Sequence, residues 1–582
     1  MATRTEKLSH ITRQIVLLAA IFGMPVVDAA NLPGSVLPER AGSNLVPQVS
    51  SNPKALPALP TQKPKPGPNP LGPAANTIKF LLVRVQLVGN HVYTEKQLLP
   101  LYQNLLNKTI TVAQLQGIVQ DITNYYRNEG YILTRAVLPP QHVDKGIVTI
   151  QVIEGFVGKV NVVGIPKGSK DLVQAYGDHI AASRPLRLKV MEHYLLLANE
   201  IPGVQVKAVM EPSKTAVGAS DLNLVAQAKP FSAYYSYDNY GTRYIGPLES
   251  SIGIEADSIF RAGDSTQFNG SAASRPQELK FIQLTHTTPL GTKGARIGIS
   301  GNQALTRPGL NLAPEKIDGI SNTFSATVSL PLLRSRTQNL TFDAALNYID
   351  SMVTTLQESD QLYMDHLRTL RAGLSYDIAD GWNGSNSAQA HLEHGFLVLG
   401  STSIGQGNTP NLTSRFGASG HFTKANLQYS RVQQFGATRY SAFFQMTGQF
   451  TNEPLLATEQ FGFGGVQQGL GRGYDSAEII GDRGLAGSLE LRMNVSPEKF
   501  YLQAAQLYAF YDTGVTWDLK TIADQKSKNS AASAGIGSRF FFTKNFSGNL
   551  LFAQPLTKQV AAQALIGDGR QPRVFFSLTA SI

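Results

Sequence analysis

The sequence predicts a transmembrane β-barrel of sixteen antiparallel strands preceded by two small α+β modules. Three observations carry that prediction. The chain opens with a basic and then apolar stretch of export-signal type, two successive stretches each read strand-helix-helix-strand-strand, and from Pro230 to Ile582 polar and apolar residues alternate with period two. The composition agrees: of 582 residues only 16% are charged and 42% are hydrophobic, with 53 glycines and no cysteine. Such a chain needs no disulfide to persist in an oxidising compartment. The formal charge of +10 is spread along the chain with no Lys/Arg block long enough for a nucleic-acid arm, so no nucleic-acid partner is expected.

Arg4, Lys7 and Arg13 make the start of the chain basic, "IVLLAAIFGMPVV" follows at 15–27, and Val27-Asp28-Ala29 places small or apolar residues at the cleavage positions. The apolar stretch is shorter than the roughly 20 residues of a spanning helix and contains Pro25. Residues 1–29 are therefore read as a signal peptide cut after Ala29. No later segment offers about 18 consecutive apolar residues, so a membrane span must be built from strands. Residues 30–76 are read as a linker. Eleven prolines fall in 31–76, including "PKALPALPTQKPKPGPNP", and predict an extended, semi-rigid tether.

The first module spans 77–155. "FLLVRVQLVGN" (80–90) reads as one strand ending in a Gly-Asn turn. Thr94 and Gln97 form a capping-box pattern, with Leu98, Leu101, Tyr102 and Leu105 at helical spacing behind them. Thr111 and Gln114 cap a second helix, whose inner face is Leu115, Ile118, Val119 and Ile122 and whose stop is Gly130. "YILTRAVLP" (131–139) and "GIVTIQVIEG" (146–155) supply two strands. The order recurs in a second module, 156–228: a strand at Val160–Val163, a weak helix at 168–181, a stronger one at 185–200 opening on Pro185, then strands in "IPGVQVKAVM" and "ASDLNLVAQAKP".

From 229 to 582 the alternation takes over. In "RGLAGSLELRMNV" Leu485, Gly487, Leu489, Leu491, Met493 and Val495 share one face, and Ala486, Ser488, Glu490, Arg492 and Asn494 the other. "LTFDAALNYI" (340–349) and "VFFSLTASI" (574–582) alternate in the same way. One face suits lipid and the other water. About sixteen such segments fit into roughly 350 residues, the spacing of strands of about ten residues joined by alternating short and long loops.

Catalytic and metal-binding patterns are absent. The histidines of "HLEH" (391–394) lack zincin spacing, and on a strand they face opposite sides. "GLGRGY" and "GFGG" have no βαβ setting, and no phosphate-binding G-x-x-x-x-G-K-[ST] occurs. Neither enzyme activity nor a cofactor nor a metal is expected.

Several of these stretches resemble a known family. The "VGN" turn, "NEIPGV" (199–204) and "SDLNLVAQ" (220–227) make the two modules similar to POTRA domains of the two-partner secretion transporters (TpsB). "YYSYDNYGTRYIG" (234–246) resembles that family's first barrel strand, with Asp238, Asn239 and Gly241 in the turn. "FGFGGVQQGLGRGYDS" resembles its loop-six signature, usually Val-Arg-Gly-Tyr or Val-Arg-Gly-Phe, with Arg472, Gly473 and Tyr474 in place and Gly471 where valine is usual. That glycine is expected to loosen the tip. "YAFYDTG" (508–514) matches the aromatic stretch ending in Asp-x-Gly.

The resemblance implies a loop folded back into the barrel lumen, with Arg472 paired to an acid on a neighbouring strand. Asp512 is the first candidate and Glu490, on the lumen face, the second. Tyr508 and Phe510 share the parity of Asp512 and are expected to flank the arginine. The same resemblance implies an outer-membrane transporter, with its POTRA domains in the periplasm, that moves a TpsA-type exoprotein such as a haemolysin or adhesin to the cell surface. Its expected partners are that exoprotein, bound along a strand edge such as "GIVTIQV" or "IPGVQVKAV", and outer-membrane lipids; the transporter itself is expected to be monomeric. Many members carry an N-terminal helix that plugs the pore. Pro33, Pro38 and Pro47 and the weak periodicity of 31–50 predict no long plug here. Three alternatives stay open: an insertase of the same superfamily, which shares the loop-six signature but generally carries more POTRA units, a passive porin, and an outer-membrane enzyme such as a lipase or protease.

Overall fold

The computed structural model describes residues 32–41, 75–165, 167–214, 216–355, 361–403, 413–496, 501–521, 526–564 and 569–582. The expected signal peptide lies outside the described residues. In the first module, β1 (Lys79–Leu82) and β3 (Lys108–Thr111) form a two-stranded sheet, while β2 (Arg84–Val88) joins β5 (Ile147–Ile153) and β4 (Arg135–Val137) in a three-stranded one. The single strand expected at 80–90 is thus two strands in two sheets, parted at Val83, whose N–H bonds to the Gly146 carbonyl at 2.8 Å. Helix α1 (Val112–Asn128) starts at the predicted capping box: the Gln114 amide N–H reaches Thr111 Oγ1 at 3.2 Å, and the Thr111 N–H reaches Gln114 Oε1 at 2.8 Å. The helix expected after Thr94 is shorter than its periodicity suggests. It spans only Glu95–Leu98 and continues as two 3-10 turns, because Pro100 offers no N–H to extend it.

The second module holds β6 (Phe156–Val163), α2 (Lys167–Ala181), α3 (Leu188–Asn199), β7 (Val204–Pro212) and β8 (Ala219–Ala228), with sheet order β6-β8-β7. Helix α3 begins at Leu188 rather than at Pro185, which precedes the cap Arg187. Each module encloses its own apolar core, Leu115, Ile118, Ile122, Val148 and Ile150 in the first and Val173, Ile180, Leu222 and Leu224 in the second. Strand β5 is the centre of its sheet, so "GIVTIQV" offers no free edge: β2 pairs along one side, β4 takes Gln151–Ile153 on the other, and the Gln141 amide covers Thr149.

The rest of the chain closes into one antiparallel barrel. Its strands are β9 (Phe231–Asp238), β10 (Glu249–Asp257), β11 (Ser265–Ala273), β12 (Leu279–Leu290), β13 (Ala295–Thr306), β14 (Asp318–Arg334), β15 (Gln338–Thr354), β16 (Gln361–Ala379), β17 (Gly384–Gly395), β18 (Phe422–Gln434) and β19 (Tyr440–Thr451). After a small hairpin of β20 (Phe461–Phe463) and β21 (Ile479–Gly481) come β22 (Arg483–Val495), β23 (Ala504–Trp517), β24 (Lys528–Phe541), β25 (Phe546–Pro555) and β26 (Arg573–Ser581), which pairs back to β9. Sixteen strands close the ring, and β20 and β21 stand outside it. Closure leaves no unpaired strand edge for lipid to desolvate. The alternation sorts the two faces as expected: Leu491 is 58% exposed on the outer wall, while its neighbour Glu490 is 3% exposed inside.

Strand β9 rises from the second module, so connections after even-numbered strands up to β18 lie at the module end and are short. Those after β17 (396–421) and β19 (452–482) lie at the far end and are long, which sets loops five and six there. The second module touches the module end of the barrel directly. Arg334 Nε meets Glu200 at 2.9 Å, the Arg336 N–H meets Glu192 at 2.8 Å, and His179 Nε2 lies 3.0 Å from Thr292 Oγ1.

The expectation of an extended tether over 30–76 fails at its start. Residues 32–41 contain a 3-10 turn (Gly34–Val36) and one helical turn (Pro38–Ala41), with Leu32, Val36, Leu37 and Ala41 packed against Tyr244, Leu279, Phe281, Ile317 and Tyr363 of the barrel. Glu39 accepts from Ser351 Oγ at 2.7 Å, and Arg40 Nη2 donates to the carbonyls of Ala457 and Gln460 at 2.7 Å each. Prolines forbid a long helix here without forbidding a short segment whose backbone ends are satisfied by the barrel wall.

Candidate functional site

The site grows from strand register. Across β22, β23 and β24 the ladder sets Ser488, Asp512 and Ser533 side by side, then Glu490, Phe510 and Gly535, then Arg492, Tyr508 and Gly537. Period two turns all nine into the lumen. The glycines make room for rings lying flat along the wall: a Cβ on Gly535 would sit 2.6 Å from Phe510 Cζ, and one on Gly537 2.3 Å from Tyr508 Cζ. Charge, ring and hydroxyl rows thus arise from sheet geometry alone.

Loop six delivers the cation. It enters through β20, returns through β21, and between them its tip folds down the lumen to the three strands. Arg472 Nε and Nη2 grip Asp512 at 3.0 and 2.7 Å, and the Arg472 backbone N–H adds a third bond to Oδ2 at 2.9 Å. Nη1 bonds to Glu490, and Nη2 also reaches Ser488 Oγ at 2.8 Å. The Arg472 guanidinium carbon lies 3.7 Å from the Phe510 ring centroid. Arg472 is 3% exposed and Asp512 is fully buried. A planar fork meeting one carboxylate with two bonds while a second carboxylate takes the remaining donor is the arrangement that offsets the desolvation of a buried cation.

The flanking residues extend the clasp. The Gly473 N–H donates to Ser533 Oγ at 3.2 Å, and Tyr474 Oη donates to the Ala532 carbonyl at 2.9 Å while accepting from the Lys558 N–H. The structure brings together Arg472, Gly473, Tyr474, Asp512, Glu490 and Phe510, and both candidate acids bind the arginine at once. Tyr508 is the exception. It does not flank Arg472 but carries Arg539, 4.1 Å from its ring centroid, because it sits one row further down the strand. Arg539 and Arg492 in turn bond Glu490, at 3.2 and 2.6 Å.

Gly471 does not loosen the tip. Its φ is +75°, a region valine avoids, and a Cβ there would lie 2.7 Å from Phe463 Cε1. The position is closely packed, and glycine is what fits it. Sequence reasoning missed the second anchor of the loop, Asp475 with Arg573 Nη2 at 2.8 Å, both buried. The adjacency of Asp475 to the signature was the one available signal, since Arg573 lies 98 residues away.

A closed barrel with an apolar outer wall, a polar and charge-lined interior, a folded-in loop and α+β modules at one mouth is the class of outer-membrane transport barrels. The chain belongs to the family described as "Haemolysin secretion/activation protein ShlB/FhaC/HecB", whose model matches residues 218–540, more than half of it. A second model, "POTRA domain, ShlB-type", matches residues 80–155. Heme/hemopexin transporter protein HuxB of Haemophilus influenzae is 23% identical over 488 residues, covering 83% of this chain and 85% of that protein. Hemolysin transporter protein ShlB of Serratia marcescens is 22% identical over 396 residues, covering 65% and 66%. Among solved structures, CdiB from Escherichia coli superposes with a TM-score of 0.66 at 17% identity, covering 90% of this chain and 93% of that one, a likeness of fold. The protein is an outer-membrane transporter of two-partner secretion, and its POTRA domain faces the periplasm.

Proposed function

We propose that the chain carries an unfolded TpsA-type exoprotein, of haemolysin or adhesin type, through its lumen, with Arg472 as the anchor that holds loop six inside. The observation that supports this most is the buried Arg472–Asp512–Glu490 clasp within a closed barrel of this family. Loop six is long and held by few strand contacts of its own, so the clasp sets how much of the lumen it fills.

We read the second module as another POTRA domain, on the strength of its βααββ order and three-stranded sheet. Its edge strand β7 is the better docking edge. Asn199 covers Val206 on the open side, and ladder parity then turns the amides of Ala208 and Met210 outward, where an extended cargo segment adds main-chain hydrogen bonds. The transporter acts as a monomer among outer-membrane lipids, which the continuous apolar outer wall of a self-closed barrel supports. No nucleotide motif supplies energy, so folding of the cargo outside the cell draws it forward.

Coexpression with a candidate exoprotein, followed by assay of the medium, tests the reading. Cargo is expected in the medium with the full chain and to be lost when residues 77–228 are deleted from a barrel that still assembles. Release undiminished by that deletion would remove the modules from recognition.

A further inference from the structure

The far end of the barrel holds a second ion cluster, remote from Arg472 and built only of loop residues. Arg415 belongs to loop five. Its Nη1 bonds to Asp482, the last residue of loop six, and its Nη2 bonds to Asp518 at 2.9 Å, the first residue after β23 and so the start of loop seven. Nη2 also donates to the Lys520 carbonyl at 3.0 Å. Asp482 is fully buried, and its two oxygens accept the N–H groups of Leu455, in loop six, at 2.9 Å and of Leu519, in loop seven, at 2.7 Å. Gln460 Nε2 adds a bond to Asp518 at 3.2 Å. Beneath the cluster Ala418 of loop five and Leu455 and Leu456 of loop six pack with Leu367 and Phe422 in a small apolar core.

We propose that Arg415 is the latch of an extracellular lid, holding residues 413–421 of loop five, loop six and residues 518–521 of loop seven together at the far end of the barrel in the resting state and parting them when polypeptide leaves. The barrel order carries this. Loop five springs from β17 and β18, whereas its partners sit above β22 and β23, so Arg415 reaches past the whole of β19. An extended chain leaving along this side of the lumen has to separate these loops. Among the described residues no other ion pair joins loop five to loop seven. The joint is also unevenly matched, with two carboxylates sharing one guanidinium. Burial pushes Asp518 up to about 6, Asp482 adds to that and Arg415 opposes it. The Arg472 clasp carries the opposite excess, three arginines around two acids.

The clause about polypeptide rests on the secretion reading, but the lid is testable without cargo. In planar bilayers of phosphatidylethanolamine and phosphatidylglycerol in KCl, the full-length Arg415→Gln protein is expected to be open at least tenfold more often than the unmodified protein. Asp518→Asn is expected to shift it the same way, and Arg431→Gln, which breaks a comparable pair with Asp380 at the module end, to leave it unchanged. The chain has no cysteine, so Arg415→Cys with Asp518→Cys introduces its only thiols. Bridging them with a reducible bis-maleimide is expected to suppress opening, and reduction to restore it, which separates a latch from a misfolded barrel. Unaltered conductance in both single variants, or a bridged protein that opens as often as the reduced one, overturns the latch. A conductance change with no effect on release of a coexpressed exoprotein keeps the lid and sinks its role in secretion.

Discussion

At the scale of residues, the molecule is organised by buried arginines with specific carboxylates. Removing Arg472 leaves Asp512 and Glu490 buried with a cation lost, a change that typically costs about 3–5 kcal/mol when one partner of a buried pair is deleted. Arg472→Ala is therefore expected to cut release of cargo sharply while barrels still assemble, as read by heat-modifiable gel mobility. Arg472→Lys is expected to rescue little, because an ammonium cannot make the two-point contact with Asp512 and the bond to Glu490 together. Wild-type release by either variant would take the anchor role from this residue. Gly471→Val restores the residue usual in the family, yet its positive φ and the Phe463 ring predict a loss of about 1–3 kcal/mol and impaired release. The Arg472–Asp512 pairing was legible because both lie in short motifs. The Arg415 cluster was not, since nothing near Arg415 in the chain points to Asp482 or Asp518, 67 and 103 residues away.

At the scale of elements, period-two alternation was enough to tell inside from outside, and register did the rest. A one-residue slip between β23 and β24 would move Asp512 to the lipid face, so the glycines of β24 that accommodate Phe510 and Tyr508 also hold that pairing. Gly535→Ala is expected to lower assembled barrel by several-fold, because its Cβ would meet both the Phe510 ring and the Phe552 carbonyl at 2.0 Å. Gly487→Ala, whose nearest neighbour is 3.4 Å away, is expected to be neutral in the same gel assay. In the first module Thr111→Ala removes the cap of α1 and is expected to cost about 1 kcal/mol, seen as faster amide exchange over the first turn of that helix. Helix boundaries after Thr94 and at Pro185 were misjudged from periodicity, since apolar spacing carries no account of where a proline interrupts hydrogen bonding.

At the scale of the whole molecule, the second module is oriented by polar contacts to the module-end turns of the barrel. Glu200–Arg334 and Glu192–Arg336 are partly exposed, so each is worth about 0–1 kcal/mol and they act as a set. Arg334→Ala with Arg336→Ala is expected to broaden the module-to-barrel distance distribution measured between spin labels in this cysteine-free chain. An unchanged distribution would leave orientation to the apolar contacts of Leu172 and Leu197.

The amino-acid order by itself determined which stretches cross the membrane, which face of each strand meets lipid, the βααββ order of the second module and the motif that carries Arg472, because all of these are local periodicities or short runs. Only the tertiary structure decided that residues 32–41 return into the barrel, that Tyr508 serves Arg539 rather than Arg472, and that Arg415 gathers three loops. Those facts depend on ring closure and on how far each long loop reaches, and no local pattern encodes the distance between residues that closure brings together.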